Sequence, residues 1–590
     1  MKARHATTLT GALSSALVDA FGAALEELGV DIAGHAIDPL LQSSRHADFQ
    51  SNAAMGLGKR FGLPPRELAR LARERLTPGG PIASAEVAGP GFLNVTVADA
   101  FLSDALGAML RDPRLGVPSR EPLTVVVDYS SPNVAKEMHV GHLRSTVIGD
   151  ACVRLLEWVG HVVVRRNHVG DWGTPFGMLI EHLDDIGEAR AARELSLGDL
   201  NAFYRAAREK FDSSESFRSR ARTRVVALQS GDAETRRLWS VLIERSQAYF
   251  MEVYERIDVR LDGSEFRGES AYNDRLRSVV EELSANDLLS VSDGAECVYL
   301  EGFTGRENEP LPLIVRKSDG GFGYAATDLA AIRERTTELG ANRLLYVVGA
   351  PQRQHFEMIF ATARACGWLD DSVDAEHVSF GSVLGADGRM LASRSGSAVK
   401  LVDLLAEAVE RAAAVVAAKS PELDAATRAD IADAVGIGAV KYADLSTERT
   451  RDYALDFERM LALEGNTAPY LQYANARIRS MSRRHERMGE GEGEGGDAVE
   501  VRHPAERELA LLLLRFPDIV DEIVVSLSFH RLAGYLFDLA TAFSRFYASC
   551  PVLKAEEPAS RDSRLALSRL VGRTLETGLS LLGIRSPGRM

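Results

Sequence analysis

The sequence predicts an α/β domain with a doubly wound parallel sheet at its centre, a smaller α+β domain before it and an all-α domain after it. The chain of 590 residues is too long for a single hydrophobic core. A strand, a helix and a second strand follow one another between residues 123 and 165, which makes a βαβ unit. From residue 401 onward, apolar residues recur at helical spacing. We therefore expect a Rossmann-type middle domain and place the domains at 1–118, 119–400 and 401–590.

Composition indicates ordinary globular domains, because 45% of the residues are hydrophobic and 26% are charged. No uncharged apolar run reaches the length that spans a bilayer, so we expect a protein without a membrane partner. The four cysteines show no CxxC spacing, which argues against a disulfide framework or a zinc ribbon and predicts a reducing, cytoplasmic location. They are Cys152, Cys297, Cys366 and Cys550.

The first element allows two interpretations. Lys2 and Arg4 precede an uncharged run at 6–18, as in a secretory signal, but no small-residue cleavage site follows. Acidic residues begin at Asp19, with leucines at helical spacing, and this favours an amphipathic helix. Farther along, Gly89-Pro90-Gly91 predicts a sharp turn before the run at 92–95. Residues 1 to about 115 are therefore predicted to form helices followed by a short strand unit.

The central sheet is predicted from apolar runs and glycines. The run at 123–129 is mostly β-branched, as in strands buried inside a parallel sheet. A helix is predicted from His139 to Val159, and a second strand follows Gly160. A later strand at 343–348 ends in a glycine-containing loop, so the sheet is expected to continue to about residue 385. The helix-rich stretch from about 185 to 255 is predicted to be an insertion.

The charge pattern leaves nucleic acid open as a partner. The net charge of −15 gives no long-range attraction to RNA, but local basic clusters can still contact it. Each cluster could equally be a solvated helix face. The first contains Arg218, Arg220, Arg222 and Arg224, and the second contains Arg477, Arg479, Arg483, Arg484 and Arg487. The glycine–glutamate alternation at 489–496 predicts a flexible surface loop.

One segment between the first strand and the first helix of the sheet predicts a nucleotide site; residues 130–142 read SSPNVAKEMHVGH. His139 and His142 are three residues apart and share a helix face, although they could merely cap the helix. A helix N-terminus offers free N–H groups to phosphates, and two imidazoles there can donate to phosphate oxygens as charge builds in a transition state. Gly141 leaves room for a nucleotide against the backbone.

These residues resemble the HIGH signature of class I aminoacyl-tRNA synthetases, and the flanking AKEMHVGHLRS resembles arginyl-tRNA synthetases in particular. The resemblance covers nearly the whole chain. NHVGDWGTPFG, GESAYN and RKSDGGFGYAATDLAAI resemble the catalytic domain of that family. ADFQSNAAMGLGKRFGLPPREL and VAGPGFLN resemble its N-terminal domain, which contacts the tRNA elbow. GNTAPYLQYANARI and GLSLLGIRSPGRM resemble its helical anticodon-binding domain.

The resemblance implies an arginine–tRNA ligase. Such an enzyme forms arginyl-adenylate from L-arginine and ATP, with Mg²⁺ neutralising phosphate charge, and transfers arginine to the 3′-terminal adenosine of tRNA(Arg). The class implies attack by the 2′-OH, and the family implies that activation requires bound tRNA. Catalysis of this kind relies on positioning, so no covalent nucleophile and no protein-bound metal are expected. The protein is expected to be a monomer.

The chemistry of arginine predicts the side chains that select it. A guanidinium is always protonated and presents a planar fork of donors that carboxylates bind in pairs. Glu269 and Asp328 are the candidate carboxylates, and Tyr324 lies one helical turn before Asp328. Any single carboxylate could instead be a surface ion pair or a helix cap. By resemblance, the arginine site comprises Ser131, Asn133, Glu269, Tyr324, Asp328 and Gln352.

The second class I signature, a loop that normally brings lysine to the phosphates, lies at 385–396. Many members of the family carry a lysine where this chain has Ala392. The resemblance implies that Lys136, just before the HIGH residues, takes this role and acts with His139 and His142. Arg389 is a further candidate cation. By resemblance, ATP is bound by His139, Gly141, His142, Ser393 and Arg394.

Two further departures from the family suggest a diverged paralogue. Pro351 stands where relatives often have an arginine before Gln352, and Asn475 stands where they have YAHAR or a similar sequence. Two alternatives therefore remain beside the housekeeping enzyme: a tRNA-binding regulator, and an enzyme that delivers activated arginine to a specialised pathway. The residues predicted to contact tRNA are Arg477, Arg483 and Arg484.

Overall fold

The computed structural model of the chain divides into two compact units. One contains residues 1–119, 462–580 and 586–590, and the other contains 120–461 and 581–585. The structure describes residues 8–76, 79–191, 200–305, 308–385, 388–389, 391, 399–487 and 498–590.

The N-terminal part of the first unit is an α+β structure, as predicted. Its first helix is capped by Thr8, whose hydroxyl accepts the Gly11 N–H at 3.1 Å, so the amphipathic-helix interpretation is confirmed. The four strands are antiparallel in the order β1-β2-β4-β3, and the first two strands were not predicted. The elements are α1 (Leu9–Glu27), β1 (Leu41–Ser43), β2 (Phe49–Ser51), α2 (Ala53–Phe61), α3 (Pro65–Glu74), β3 (Ile82–Ala88), β4 (Phe92–Val97) and α4 (Asp99–Arg111).

The second unit begins with the βαβ unit and ends in helices. Its elements are β5 (Thr124–Asp128), α5 (Val140–Trp158), β6 (Val162–Arg166), α6 (Thr174–Ile186), α7 (Leu200–Ser213), α8 (Glu215–Ser230), α9 (Ala233–Arg256), α10 (Asn273–Ala285), β7 (Leu289–Ser292), β8 (Ala295–Thr304), β9 (Pro310–Arg316), α11 (Tyr324–Thr337), β10 (Arg343–Tyr346), α12 (Arg353–Ala365), β11 (Asp374–His377), β12 (Val383–Leu384), α13 (Leu401–Lys419), α14 (Ala425–Leu445), β13 (Tyr453–Ala454) and α15 (Phe457–Met460).

The parallel sheet of this unit has the order β11-β10-β5-β6. Its register places the last residues of all four strands side by side, so the strands end at one edge. The chain leaves β5 towards β6 on one side and β10 towards β11 on the other. The switch point between β5 and β10 opens the crevice in which such sheets bind ligands. The predicted doubly wound sheet is confirmed.

Close packing fixes α5 and α11 against this sheet. Gly149 of α5 lies on Tyr129, and a Cβ at this glycine would lie 2.3 Å from the tyrosine Cβ. Arg335 of α11 is fully buried, and its guanidinium pairs with Asp128 at 2.6 Å, at the end of β5. A buried pair of this kind resists displacement, because separating the charges leaves one unpaired in an apolar interior. The site residues carried by both helices are therefore held relative to the sheet edge.

Two features of this unit differ from what the residue pattern suggests. The strands β7, β8 and β9 form an antiparallel sheet that was not predicted, because their exposed and buried positions do not alternate regularly. The first basic cluster is largely neutralised within the helical stretch. Arg218, Arg220 and Arg224 each pair with carboxylates of Glu215 or of α6.

The C-terminal part of the first unit is all helical, as predicted. Its helices are α16 (Ala468–Arg487), α17 (Pro504–Leu514), α18 (Phe516–Ser526), α19 (Phe529–Ser549) and α20 (Pro558–Leu581). The acidic glycine-rich segment at 489–496 lies outside the described residues. Within the described ranges, no helix combines the length and the apolar character needed to cross a membrane.

Candidate active site

The loop that follows β5 is held in an unusual backbone conformation. Ser130, Ser131 and Ala135 have φ angles of 70°, 46° and 59°, a region that non-glycine residues adopt rarely. Such strain persists only where neighbouring groups hold the chain. The Ser131 N–H donates to Asn167 Oδ1 at 3.0 Å, and the Ala135 N–H donates to Ser246 Oγ at 3.0 Å. The loop is therefore a rigid part of the crevice wall.

Ser131 and Asn133, the predicted contacts of the amino-acid backbone, lie in this loop. The Ser131 hydroxyl donates to Asp128 Oδ1 at 3.1 Å. Asn133 pairs with Gly170 in the segment after β6, and a Cβ at Gly170 would lie 2.4 Å from Asn133 Oδ1. The glycine lets the two segments approach closely enough to place the amide side chain in the crevice.

His139 and His142 cap the N-terminus of α5 reciprocally. His139 Nδ1 accepts the Gly141 N–H at 3.0 Å, and His142 Nδ1 accepts the His139 N–H at 3.1 Å. A neutral imidazole that accepts at Nδ1 carries its proton at Nε2. Both rings therefore present an Nε2–H donor beside a helix N-terminus, and their centres are 4.1 Å apart. Capping and phosphate donation, which were alternatives at the level of sequence, are compatible in one arrangement.

Burial keeps these imidazoles neutral at pH 7. Desolvation and the neighbouring His139 lower the pKa of His142 to about 4. Desolvation and the Lys136 cation lower the pKa of His139. Neutral rings fit the hydrogen-bond pattern, because a protonated imidazole could not accept the backbone N–H groups.

Gly141 has a structural reason to lack a side chain, in addition to leaving room for a nucleotide. A Cβ at this position would lie 2.7 Å from His139 Cε1 and 2.9 Å from His139 Nδ1. Any other residue would push the His139 ring away from the helix N-terminus and break its cap. The glycine between the two histidines thus allows the His139 ring to stay at the helix N-terminus.

Two lysines lie close to the HIGH residues. Lys136 Nζ lies 4.6 Å from the centre of the Tyr204 ring in α7, a cation–π contact. Lys400 pairs at 2.9 Å with Glu137, a buried carboxylate that also accepts from Asn201 at 2.6 Å. Among the residues that the structure describes, Lys136 therefore contacts an aromatic ring and no carboxylate.

The residues that follow the second signature loop lie beside the first signature. The Val140 N–H donates to the Val399 carbonyl at 3.0 Å, and the Leu401 N–H donates to the Met138 carbonyl at 3.0 Å. At the other end of the loop, the Gly385 N–H donates to the Arg389 carbonyl at 2.8 Å. Ala392, Ser393 and Arg394 lie outside the described residues, so their roles stay predictions.

Glu269 and Asp328, the predicted guanidinium ligands, lie near each other and near a third carboxylate. Burial, and then the charges of Asp171 and Asp328, raise the pKa of Glu269 to about 8. Glu269 begins a short 3₁₀ helix, Glu269–Tyr272, and its N–H donates to the Val169 carbonyl at 3.2 Å. Among the described residues, no lysine or arginine pairs with any of these three carboxylates. Partly buried carboxylates without a cation provide a site for a cationic ligand.

Asp171 was not singled out from the sequence, although it belongs to the NHVGDWGTPFG motif. Its carboxylate accepts the Ser270 N–H at 2.8 Å and the Ser270 hydroxyl at 2.6 Å. Burial raises its pKa despite these bonds. A Cβ at Gly268 would lie 2.0 Å from Asp171 Oδ2, so the glycine of GESAYN admits this carboxylate. The glycines of the two motifs are the available sequence signal for this close approach, and they do not indicate which side chain makes it.

Of the remaining predicted arginine contacts, Tyr324 lies near Glu269, and Gln352 lies close in sequence to a histidine that contacts Asp328. Tyr324 begins α11 and is 74% exposed; desolvation and the Glu269 charge raise the pKa of its phenol. Gln352 ends the 3₁₀ helix Ala350–Gln352 and is exposed directly before α12. Pro351 fits at the start of this turn, where no N–H is needed. Three residues farther on, His355 Nε2 contacts Asp328 Oδ2 at 2.6 Å.

The predicted tRNA contacts all lie on α16. The Arg477 guanidinium stacks 4.1 Å above the Tyr547 ring, and Arg483 donates to the Gly588 carbonyl at 3.1 Å. Arg484 is exposed. Asn475, the departure from the family sequence, is buried and faces α20 near Gly572. No described contact identifies these arginines as RNA ligands, so that role stays a prediction.

Three family models match the chain. "tRNA synthetases class I (R), catalytic domain" matches residues 105–457, "Arginyl tRNA synthetase N terminal domain" matches 9–97, and "DALR anticodon binding domain" matches 471–590. A curated relative from Thermobifida fusca, named Arginine--tRNA ligase, is 53% identical over 584 residues and covers 99% of each chain.

Two solved structures show the same architecture. The arginyl-tRNA synthetase of Plasmodium falciparum is 28% identical, with a TM-score of 0.82, over 98% of this chain and 99% of that one. The arginyl-tRNA synthetase of Thermus thermophilus is 26% identical, with a TM-score of 0.80, over 98% of this chain and 100% of that one.

Proposed function

The chain belongs to the arginyl-tRNA synthetases of class I and is an arginine–tRNA ligase, and from that premise we propose which of its residues carry the chemistry. The arginine carboxylate attacks the α-phosphorus of ATP, the bond to the β-phosphate oxygen breaks, and pyrophosphate leaves. A ribose hydroxyl of the terminal adenosine then attacks the carbonyl of arginyl-adenylate, and AMP leaves. We propose the 2′-OH as this nucleophile.

The imidazole pair stabilises the phosphates during adenylate formation. Each ring turns an Nε2–H away from its backbone cap, and the dipole of α5 adds positive potential at the helix N-terminus. Negative charge on the phosphate oxygens grows in the transition state, so fixed donors stabilise that state more than bound ATP. His139 and His142 thus act by electrostatic stabilisation and transfer no proton.

The partly buried carboxylates select arginine. A guanidinium carries five N–H donors and a charge that does not titrate in water, so it can satisfy Asp328 and Glu269 together. Asp171 lies near Glu269 and already accepts two hydrogen bonds from Ser270. Lysine places one compact ammonium in the same space and leaves carboxylate oxygens without donors, a loss that disfavours it strongly. The observation that supports this assignment is that Glu269 and Asp328 lie close together and that, among the described residues, neither pairs with a lysine or an arginine.

Mg²⁺ is proposed to arrive with the phosphates of ATP. Among the described residues, no group of three or more His, Cys, Asp or Glu side chains is arranged to hold a metal ion. A magnesium ion that keeps several waters and binds phosphate oxygens needs no such protein cage. When bound, it would neutralise charge on the phosphates, while the imidazoles and Lys136 act on oxygens that remain free.

We assign the tRNA partner and the roles of the domains by analogy with the family. We propose that the α+β part at 1–118 contacts tRNA, that 119–400 is catalytic, and that the helical part at 401–590 binds the anticodon, with Arg477, Arg483 and Arg484 contacting phosphates. Such contacts would weaken as salt rises. The four cysteines are free thiols, which supports a reducing, cytoplasmic location. We also propose a monomer.

Exchange of labelled pyrophosphate into ATP tests this function directly. With arginine and tRNA present, label should enter ATP, because adenylate formation is reversible. Lysine at the same concentration should support far less exchange, and omission of tRNA should reduce exchange with arginine. Exchange that is equally strong with lysine would contradict the proposed pocket. Exchange that is unchanged without tRNA would contradict the proposed need for bound tRNA.

Lys136→Met tests the phosphate cation. The change keeps most of the apolar stem but removes the charge, so we expect a large fall in kcat for arginyl-adenylate formation, with arginine binding changed far less. Adding Ala392→Lys to the Lys136→Met enzyme should recover part of the lost kcat. Lys419→Met removes an exposed lysine at the end of α13 and serves as the matched control. Full kcat in the Lys136→Met enzyme would shift the role to Arg389 or Arg394.

Arginine binding should release a proton from Glu269. Because the pKa of this carboxyl is raised to about 8, it is mostly protonated at pH 7, and the guanidinium cation favours its ionised form. Arginine affinity should therefore rise as pH increases from 6 to 8. Four other polar side chains face the same space: Asp171, Asp328, Tyr324 and His355. The comparison with Glu269→Gln is therefore needed to assign the pH dependence to Glu269.

Calorimetric titration with arginine in two buffers of different ionisation enthalpy measures this release. We expect close to one proton per arginine at pH 7 in the native enzyme, and much less in the Glu269→Gln enzyme. Equal heats in the two buffers for the native enzyme would show that Glu269 is already ionised and would contradict the prediction.

A further inference from the structure

The geometry points to His355 as the positioning residue of the arginine pocket, which acts by holding Asp328 in the orientation that receives the guanidinium. This inference rests on the proposed role of Asp328 in arginine binding. His355 lies in the first turn of α12, and Asp328 lies in the second turn of α11. Neither residue has a part in the phosphate chemistry assigned to His139 and His142.

The contact between the two side chains is a directed hydrogen bond. His355 Nε2 lies 2.6 Å from Asp328 Oδ2. A carboxylate can only accept, so Nε2 carries a proton and donates it. The Asp328 side chain is 18% exposed and that of His355 is 29% exposed, so water competes only partly for this bond. A charge-assisted bond with these geometric features is stronger than a bond between neutral groups.

Within the described residues, His355 is the only group that makes a hydrogen bond to the Asp328 side chain. No other hydrogen bond or ion pair to the Asp328 side chain occurs in the described part of the chain. The two neighbouring carboxylates are in different environments. Asp171 accepts two hydrogen bonds from Ser270, and Glu269 is buried, which raises its pKa. Among the described residues, Asp328 is thus oriented by one hydrogen bond, whereas Asp171 accepts two.

Orienting Asp328 in advance has an energetic consequence. Without His355, the carboxylate would sample several rotamers, and arginine would have to order it on binding. Because His355 engages Oδ2, the second oxygen is left to accept from the guanidinium. The histidine thus raises arginine affinity without contacting arginine.

The packing of the His355 ring supports this role. The ring meets Phe356 edge-on, with centres 5.5 Å apart, and Phe356 in turn packs on Tyr346 at the end of β10, with centres 5.0 Å apart. Tyr346 belongs to the sheet edge and lies opposite Asp128. The imidazole is therefore supported by the same rigid edge that holds α11 through Arg335, and both partners of the bond are fixed to one frame.

Two substitutions separate donation from packing. His355→Phe keeps an aromatic ring but removes the donor, and we expect the KM for arginine to rise roughly 10- to 100-fold, with kcat and the KM for ATP changed by less than about threefold. His355→Gln places an amide N–H near the position of Nε2 and should restore most of the affinity. Gln354→Leu, an exposed change in the same helical turn, is the matched control.

A double-mutant cycle with Asp328→Ala tests whether His355 acts through Asp328. If His355 acts through Asp328, His355→Phe should lower kcat/KM for arginine strongly in the native background and little in the Asp328→Ala background. Equal losses in both backgrounds would overturn the inference and show a merely structural role. A normal KM in the His355→Phe enzyme would also overturn it. If Asp328→Ala alone left arginine kinetics unchanged, the proposed pocket itself would fail.

Discussion

We expect His142→Ala to slow arginyl-adenylate formation by roughly two to four orders of magnitude while the protein stays folded. His142 presents an Nε2–H at the N-terminus of α5, and its Nδ1 is already occupied by the His139 N–H. Removing the ring deletes a donor that acts on growing phosphate charge, and it also loosens the cap that positions His139. Single-turnover formation of arginyl-adenylate, with arginine, ATP and tRNA saturating, measures the effect.

Two further substitutions separate these contributions. His142→Asn keeps an acceptor for the His139 N–H but lacks a donor at the distance of Nε2, so it should be nearly as slow as His142→Ala. His142→Gln offers an N–H farther out and should recover part of the rate. His46→Ala, an exposed histidine in the first unit, is the control for losing an imidazole. A folded His142→Ala enzyme with near-normal rates would contradict the role given to this residue.

Asp328→Asn should raise the KM for arginine by about 100-fold or more, because it breaks a partly buried charge-assisted pair. The amide keeps the size of the side chain and still accepts from His355, so the pocket should retain its shape. Only the negative charge and one acceptor are lost. The KM for ATP should stay near its normal value, since the carboxylate lies on α11 and not at the phosphate site.

Steady-state kinetics with arginine varied at saturating ATP measure this effect. Asp371→Asn neutralises an exposed aspartate of the same unit and should leave both KM values unchanged. An unchanged KM for arginine in the Asp328→Asn enzyme would move recognition of the guanidinium to Glu269 alone. A loss of kcat with no change in KM would instead place Asp328 in the chemical step.

The phosphate site could be predicted from sequence because its parts are local. His139, Gly141 and His142 lie within four residues, and their position after a buried strand predicts both the helix and the crevice. The structure adds two features that the spacing of these residues does not reveal. Each histidine caps the helix through Nδ1, which fixes the proton at Nε2, and Gly141 lacks a side chain partly because His139 folds back over it.

The carboxylate pocket was less accessible to sequence analysis, since its members come from distant segments. Chemistry and resemblance indicated Glu269 and Asp328, but neither indicated that Asp171 lies near Glu269 or that His355 contacts Asp328. A histidine on an amphipathic helix gives no local signal of its partner. Burial, which raises the pKa of Glu269, is likewise a property of the assembled fold.

The same distinction between locally encoded features and features that depend on distant segments applies to the fold. The parallel strands were predicted because a run such as 123–129 is apolar throughout, as a strand covered on both faces must be. The antiparallel sheet β7-β8-β9 was missed because its strands mix exposed and buried positions irregularly, and β8 and β9 pair with shifts in register. Strand pairing of this kind depends on neighbours that a single sequence does not reveal.

A crystal structure of the enzyme with arginine bound is the decisive test of the proposed pocket. We predict that the guanidinium nitrogens lie within about 3.2 Å of carboxylate oxygens of both Asp328 and Glu269, at the edge where β5 and β10 end. The α-amino and carboxylate end should lie beside Ser131 and Asn133, on the side of His139 and His142. A guanidinium bound away from Asp328 and Glu269, with exchange activity intact in the same preparation, would contradict the account.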